Sequence, residues 1–366
     1  MDFELSDDQL ALKEAARALL DAEASPARVR KVVDDGSGLD PALWRSMAEQ
    51  GWAALELPEP EGGLGLGLVE VAVLCEEVGR HLAPAPFMES VVASFALRRA
   101  GVPRGAELAG RLAAGEAVAC LAWSRDARSV RATGEGQSWE LSGQADPVPF
   151  APVADLALVF ASEPSGDLAL FCLELDPSAR PPAEAAMDRT RCLAWLELDR
   201  APATRLGGQE ACEAVLDRAA TCLSAEMLGA ADRVLSMTVD YAKARVQFDR
   251  PIGSFQAVKH RCADMLVDVE GMRSAAYYAA WSVGAAQPDA SLAASVAKAW
   301  CSDAARRVMA SGLQVHGGIG FTWEHDLHLY LKRAQLDEVA FGDAAFHRDR
   351  LAGRLRARVE AGGSVL

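Results

Sequence analysis

Two short stretches gather residue types suited to holding a phosphate-bearing aromatic ligand. The first reads Tyr241-Ala-Lys-Ala-Arg245-Val-Gln-Phe248-Asp249-Arg-Pro251-Ile-Gly253-Ser-Phe255-Gln256. The second, about 70 residues on, reads Gln314-Val315-His-Gly317-Gly318-Ile-Gly320-Phe-Thr-Trp-Glu324. One supplies a cation, aromatic rings and an amide. The other supplies a Gly-Gly-x-Gly turn that exposes backbone N–H groups and, opening a helix, suits a phosphate or pyrophosphate. Taken singly, Arg245 reads as an ordinary surface ion-pair residue. Gly317, Gly318 and Gly320 taken singly read as well as a plain helix-to-helix turn.

The elements that must position these residues are helical. Leu216, Ala219, Leu223, Met227, Leu228, Ala231, Val234, Leu235 and Ala242 recur at helical spacing, which predicts one long helix with one buried face. Pro251 and Gly253 are expected to stop it. A second pattern runs through Val258, Cys262, Met265, Leu266, Val269, Met272 and Ala276, and helical periodicity persists beyond it with breaks at Gln287-Pro288 and around 311–320.

Toward the N-terminus, residues 4–24 predict an amphipathic helix with Ser6 as its N-cap, and further helices are expected at about 40–51, 68–82 and up to about 101. The run Gly62-Gly-Leu-Gly65-Leu-Gly67 misses the G-x-G-x-x-G spacing at Leu68 and lies outside any βαβ unit, so it reads as a structural turn. From about 116 to 205 the texture changes to short apolar runs separated by Gly, Pro, Asp and Ser, the pattern of a small β domain.

The 366 residues are 51% hydrophobic with a formal net charge of −15, which argues against nucleic acid and against an anionic membrane surface as partners. The acidic start lacks the apolar core of a signal peptide, and no stretch reaches the roughly 20 apolar residues of a membrane span, so a cytoplasmic location is expected. Eight scattered cysteines without a C-x-x-C pair read as small buried hydrophobes.

In this order and spacing, the two motifs resemble the C-terminal flavin-binding signatures of the acyl-CoA dehydrogenase family. The Gly-Trp, Pro-Glu, Gly-Gly-Leu-Gly and Glu-Glu-Val-Gly-Arg phrases between Gly51 and Arg80 resemble its N-terminal domain. The resemblance covers essentially the whole chain. It implies an α+β architecture: an N-terminal helical domain at 1–112, a small middle β-barrel or sandwich domain at 113–206, and a C-terminal four-helix bundle at 207–366 with the FAD signatures. It further implies FAD as cofactor, an acyl-CoA thioester as substrate, and a homo- or hetero-oligomer, expected to be a tetramer, whose subunits share the flavin site. An electron-transfer flavoprotein is the acceptor usual in the family. In the family reaction the flavin takes a hydride from Cβ while a glutamate removes the α proton.

Carried over by position, Arg245 pairs with the pyrophosphate and Phe248 packs against the cofactor. Phe255, Gln256, Gln314, Val315, Gly317 and Gly318 face the adenosine end, some of them across a subunit boundary. Asp249 stands where the family usually has glycine. The larger departure is the base. Its two usual family positions fall here on Phe341 and Ala219, and Ala220 replaces a neighbouring arginine that often touches substrate. The β-domain phrase Thr-Glu-Pro-x-Ala-Gly-Ser-Asp is replaced by Cys120-Leu-Ala-Trp123-Ser124-Arg125. Glu338, Asp343 and Glu226 remain as weak candidate acids, Glu338 and Asp343 read first as solvated helix charges and Glu226 as support for a cap or an interhelical contact. His325 and His328 lack further ligands, so no metal is expected.

Three functions follow. One is the base-lacking subunit of a heteromer whose partner supplies the glutamate. Residues 322–330 and 341–348 resemble actinobacterial-type members, some of which form α2β2 enzymes acting on bulky CoA thioesters such as steroid side chains. The second is a self-sufficient homomeric dehydrogenase with a relocated base. The third is a non-catalytic scaffold for a true dehydrogenase.

Overall fold

The computed structural model describes residues 4–126, 128–136 and 138–364. Its helices are α1 (Asp7–Glu23), α2 (Pro26–Asp35), α3 (Pro41–Glu49), α4 (Leu68–His81), α5 (Phe87–Ala100), α6 (Gly105–Ala113), α7 (Gln209–Ala244), α8 (Gln256–Gly284), α9 (Ala290–His316), α10 (Leu327–Val339) and α11 (Ala344–Glu360). The strands are β1 (Ala119–Ala122), β2 (Val130–Glu135), β3 (Ser138–Pro149), β4 (Leu156–Ser162), β5 (Leu168–Glu174) and β6 (Leu193–Gly207), with a short hairpin of β7 (Val246–Gln247) and β8 (Arg250–Pro251). Two compact units emerge, one of Met1–Pro26, Ala72–Ala83 and Ala220–Leu366, the other of Ala27–Val71 and Pro84–Ala219.

In the second unit the strands close on themselves. The pairings run β4–β2–β3–β6–β5 and back to β4, with β1 added in parallel on β4, so the ring has the form of a small β-barrel. Its interior is filled from alternate positions, including Val130 and Ala132 of β2, Leu141 of β3, Val159 of β4, Phe171 of β5 and Leu196 of β6. The helices beside it carry their own start signals. Asp40 caps α3 by accepting from the Ala42 and Leu43 N–H groups, both at 3.0 Å, and Pro41 needs no partner at the first helical position. The glycine run is a turn, as expected: a Cβ on Gly63 would lie 2.0 Å from the Leu57 carbonyl oxygen.

The first unit is helical apart from the β7–β8 hairpin and its turns. Ser6 starts α1 with a reciprocal capping box to Gln9. Helices α4 and α7 cross with their backbones nearly in contact. A Cβ on Gly79 would stand 1.9 Å from the Glu226 carbonyl oxygen, and one on Gly229 would stand 1.8 Å from that of Glu76. Only glycine fits at either position. Beside this crossing, Glu76 accepts from Lys13 Nζ at 2.7 Å, Arg273 at 2.8 Å and the Tyr277 hydroxyl at 2.5 Å, tying α1 and α8 to α4. Burial alone would raise the Glu76 carboxyl, but the charges of Lys13 and Arg273 and the donated hydrogen bonds hold it below the ordinary range.

Two expectations about element ends need correction. The long helix α7 ends at Ala244, before the proline, because the chain turns into the β7–β8 hairpin. The Gly-Gly-x-Gly segment does not open a helix. Gly317, at φ +63, caps the C-terminus of α9 through its N–H to the Leu313 carbonyl, and a 3-10 turn follows over Gly317–Phe321. Of the eight cysteines, seven are buried and Cys262 is half-buried, which fits their reading as small apolar side chains.

Candidate functional site

Helices α7 and α9 bring both motifs to one end of the first unit. The Tyr241 ring stacks on His316 with centroids 4.5 Å apart and planes 22° from parallel, and the His325 ring meets the other partner of the stack edge-on at 4.7 Å. Close approach is possible because Gly312 faces Val234 and Thr238, where a Cβ would come within 2.7 Å of the valine methyl. Tyr241 lies one helical turn before Arg245, and His316 directly precedes Gly317. The ring stack therefore sets the two signatures against each other, a role the sequence reading did not assign.

Beyond Ala244 the chain reverses through Phe248 and Asp249, both in the left-handed region at φ +54 and +62. This is the primed turn that suits a two-residue hairpin, and aspartate tolerates the conformation that glycine would otherwise supply. The turn leaves Phe248 86% exposed. Phe248 meets Phe255 edge-on at 6.0 Å, and the Arg250 guanidinium lies over the Phe255 ring at 4.1 Å. Arg250 is a second cation in the group that the sequence reading left without a role. Arg245, Gln256, Gln314, Gly317 and Gly318 are exposed, and Phe255 and Val315 are half-buried. Among the described residues, no hydrogen bond or ion pair engages the Arg245 guanidinium.

This arrangement fits a flavin dinucleotide. A guanidinium without a protein partner stands ready for a pyrophosphate. A Cβ on Gly317 or Gly318 would meet nothing within 4 Å, so the backbone surface there is open to a ligand. The helix-dipole contribution expected from the sequence does not apply, because these glycines end a helix rather than start one.

The carboxylates near the vacated base positions have other engagements. Glu226 is paired with Arg333 at 2.6 Å, and the two side chains are 1% and 0% exposed. Glu338 pairs with the Arg306 guanidinium. Asp343 caps α11, accepting from the Phe346 N–H at 2.8 Å. Phe341 is 4% exposed, and Ala219 and Ala220 are fully buried on α7. In the stretch that replaces the flavin-contacting β phrase, Ser124 Oγ accepts from the Asp146 N–H at 2.9 Å. His325 Nδ1 accepts from the Leu327 N–H and the His328 ring meets Trp323 edge-on. Among the described residues no cluster of His, Cys, Asp or Glu has the makings of a metal site.

The turn that carries Phe341 is held by two buried side chains. Lys298 Nζ donates to the Glu338 and Gly342 carbonyls, both at 2.9 Å, and to Ser302 Oγ at 3.3 Å. His347 Nε2 donates to the Phe341 carbonyl at 3.0 Å, which leaves Nδ1 as the unprotonated nitrogen. Burial, and then the charge of Lys298, pushes the His347 imidazole down to about 3 from 6.5. Its folded-state affinity for a proton is the lower one, so the unfolded chain binds more protons across that window and stability falls as pH drops below 6.5. His347→Gln is expected to remove about 3 kcal/mol of the stability lost between pH 6.5 and 4.5, read from denaturant midpoints of the two proteins. Equal acid limbs would contradict the assignment.

The sequence matches two family descriptions, acyl-CoA dehydrogenase N-terminal domain over residues 6–105 and acyl-CoA dehydrogenase C-terminal domain over residues 207–356. It is 36% identical to the acyl-CoA dehydrogenase IpdE2 of Mycobacterium tuberculosis over 88% of this chain and 89% of the relative. The chain belongs to the acyl-CoA dehydrogenase family. Members of this family are FAD-dependent oxidoreductases, and the helical, β-barrel, helical order observed is theirs. Two solved structures superpose with a TM-score of 0.90 at 33% identity. One is the ChsE4-ChsE5 complex from Mycobacterium tuberculosis, over 98% of this chain and 99% of that one. The other is a Tcur3481-Tcur3483 steroid ACAD G363A variant, over 97% and 99%. Among the described residues no helix is long and apolar enough to cross a membrane.

Proposed function

We propose that this acyl-CoA dehydrogenase chain is the base-lacking subunit of a heteromeric, FAD-dependent enzyme. A partner chain of the same family supplies the glutamate. The observation that carries this reading is the pairing of an open cofactor surface at Arg245, Phe248 and Gly317-Gly318 with the absence of an acid at both usual base positions. Phe341 and Ala219 are buried and apolar, and Glu226, Glu338 and Asp343 hold an ion pair, an ion pair and a helix cap.

In this assignment Arg245 neutralises the pyrophosphate. Phe248 covers an aromatic face of the cofactor, and Gly317 and Gly318 let the adenosine end approach the backbone. Phe255, Gln256, Gln314 and Val315 line the same end. FAD, when bound, supplies the hydride acceptor; this chain's part is to bind and orient it and to exclude water. The substrate class is a bulky CoA thioester of the steroid side-chain type, supported by the likeness to a steroid ACAD complex. The solved relatives that are two-protein complexes support an α2β2 assembly.

The test is FAD per chain, by visible absorption and mass, on the protein purified alone and with a co-expressed base-bearing partner. Flavin near zero alone and near one per pair with the partner is expected. About one flavin per chain in a homo-oligomer would instead establish a self-sufficient dehydrogenase and reopen the search for a relocated base.

A further inference from the structure

The segment from α10 into α11 makes its turn through two successive left-handed residues, Phe341 at φ +54 and Gly342 at φ +96. An L side chain adopts that conformation only when its surroundings impose it. Here the imposition comes from outside the turn. Carbonyls 338 and 342 are bound by Lys298 of α9, and carbonyl 341 by His347 of α11. Both side chains are fully buried. An ammonium is seldom fully buried, and one that spends its three hydrogens on two turn carbonyls and a serine hydroxyl is committed to the turn. Asp337, Asp343 and the Cys301 thiol are the other titratable groups that act on it.

We propose that Lys298 and His347 are positioning residues for position 341. They fix the backbone from which a side chain at 341 projects, whatever that side chain is. The inference rests on the reading of 341 as the base position of acid-bearing relatives, and it goes further. In this chain position 341 carries no acid while the contacts that hold its backbone are in place, so the shape of the turn does not depend on the phenyl ring that occupies it. The carbonyls of the last turn of α10 and of the turn that follows it make the physical case. Phe341 supplies them with no donor, whereas the lysine and the imidazole together satisfy three oxygens within a five-residue stretch.

The test is amide hydrogen exchange on the full chain, followed at Ala340 and Gly342, whose N–H groups bond to Leu336 and Val339. Lys298→Met and His347→Phe are expected to speed exchange there by about tenfold or more while amides in α1 and α8 keep their rates. His347→Gln, which keeps a donor, is expected to stay within about threefold of the unmodified protein. So is Phe341→Gln, which removes the ring and leaves the clamp. Loss of protection in Phe341→Gln, with protection retained in Lys298→Met, would overturn the proposal. Should Lys298→Met fail to fold, the contrast between His347→Phe and His347→Gln decides it, since indistinguishable exchange in those two also overturns it. The readout needs neither flavin nor turnover, so its outcome is separate from that of the heteromer reading.

Discussion

Acyl-CoA turnover by this chain alone, even with FAD added in excess, is expected to lie at least about 100- to 10,000-fold below that of the same chain assembled with a base-bearing partner, the range over which a positioned general base contributes. Removal of an α proton needs a carboxylate that is ionised, near substrate and not otherwise occupied. Phe341 and Ala219 provide none, and the three remaining acids have ligands of their own. In the assembled enzyme, Glu338→Gln is accordingly expected to leave kcat within about twofold, because it weakens only the pair of a half-buried carboxylate with the exposed Arg306. Asp343→Asn is expected to cost at most a helix cap of about 1 kcal/mol, with turnover otherwise unchanged. A single-turnover assay of flavin bleaching reads both. Full-rate turnover by the chain alone, abolished by one of these amide changes, would place the base in this chain and end the heteromer reading.

Arg333→Leu is expected to destabilise the chain by about 3–5 kcal/mol, the usual cost of leaving one charge of a buried pair without its partner. Glu226 and Arg333 are both essentially inaccessible to solvent and meet at 2.6 Å, so water cannot take the arginine's place. Glu226→Gln is expected to cost less than Arg333→Leu, since the arginine it leaves is flanked by Asp337 one helical turn along α10. Asp337 is itself fully buried. The double replacement Glu226→Leu with Arg333→Met is expected to recover much of the loss, because apolar residues of similar volume often replace a buried pair at little cost. Urea midpoints of the unmodified protein, Glu226→Leu, Arg333→Met and the double replacement make the cycle. Additive losses in the double replacement would show that the two side chains do not act as a pair.

Much of the fold was legible because its signals are local. Ser6 and Gln9 stand at capping-box spacing, and the residues of α7 repeat at helical period over a span no strand could use. The β texture from 116 to 205 was visible as short apolar runs, but β2 was not. Its sequence, Val-Arg-Ala-Thr-Gly-Glu, offers two buried apolar side chains, and its place in the ring comes from pairing with β3. Helices α2 and α6 were likewise silent: each has at most ten residues, and packing rather than propensity holds such short helices. In the candidate site, the residue types were readable and the conformations were not. Nothing local announces that Phe248 and Asp249 are both left-handed, or that Tyr241 stacks on a histidine 75 residues later. The pairing of Glu226 with Arg333 spans 107 positions, a distance over which sequence spacing carries no information.

The contact between α4 and α7 has a mechanical consequence. Each glycine faces the carbonyl of the residue three before the other glycine, Gly79 opposite Glu226 and Gly229 opposite Glu76, so the crossing is locally two-fold symmetric. Advancing either helix by one residue would rotate it by about 100° and drive a side chain into a gap that has no room for a methyl group. Sliding of one helix along the other is thereby closed off, and the pair behaves as a single strut. When this part of the molecule takes up a ligand, α4 and α7 therefore shift together or not at all.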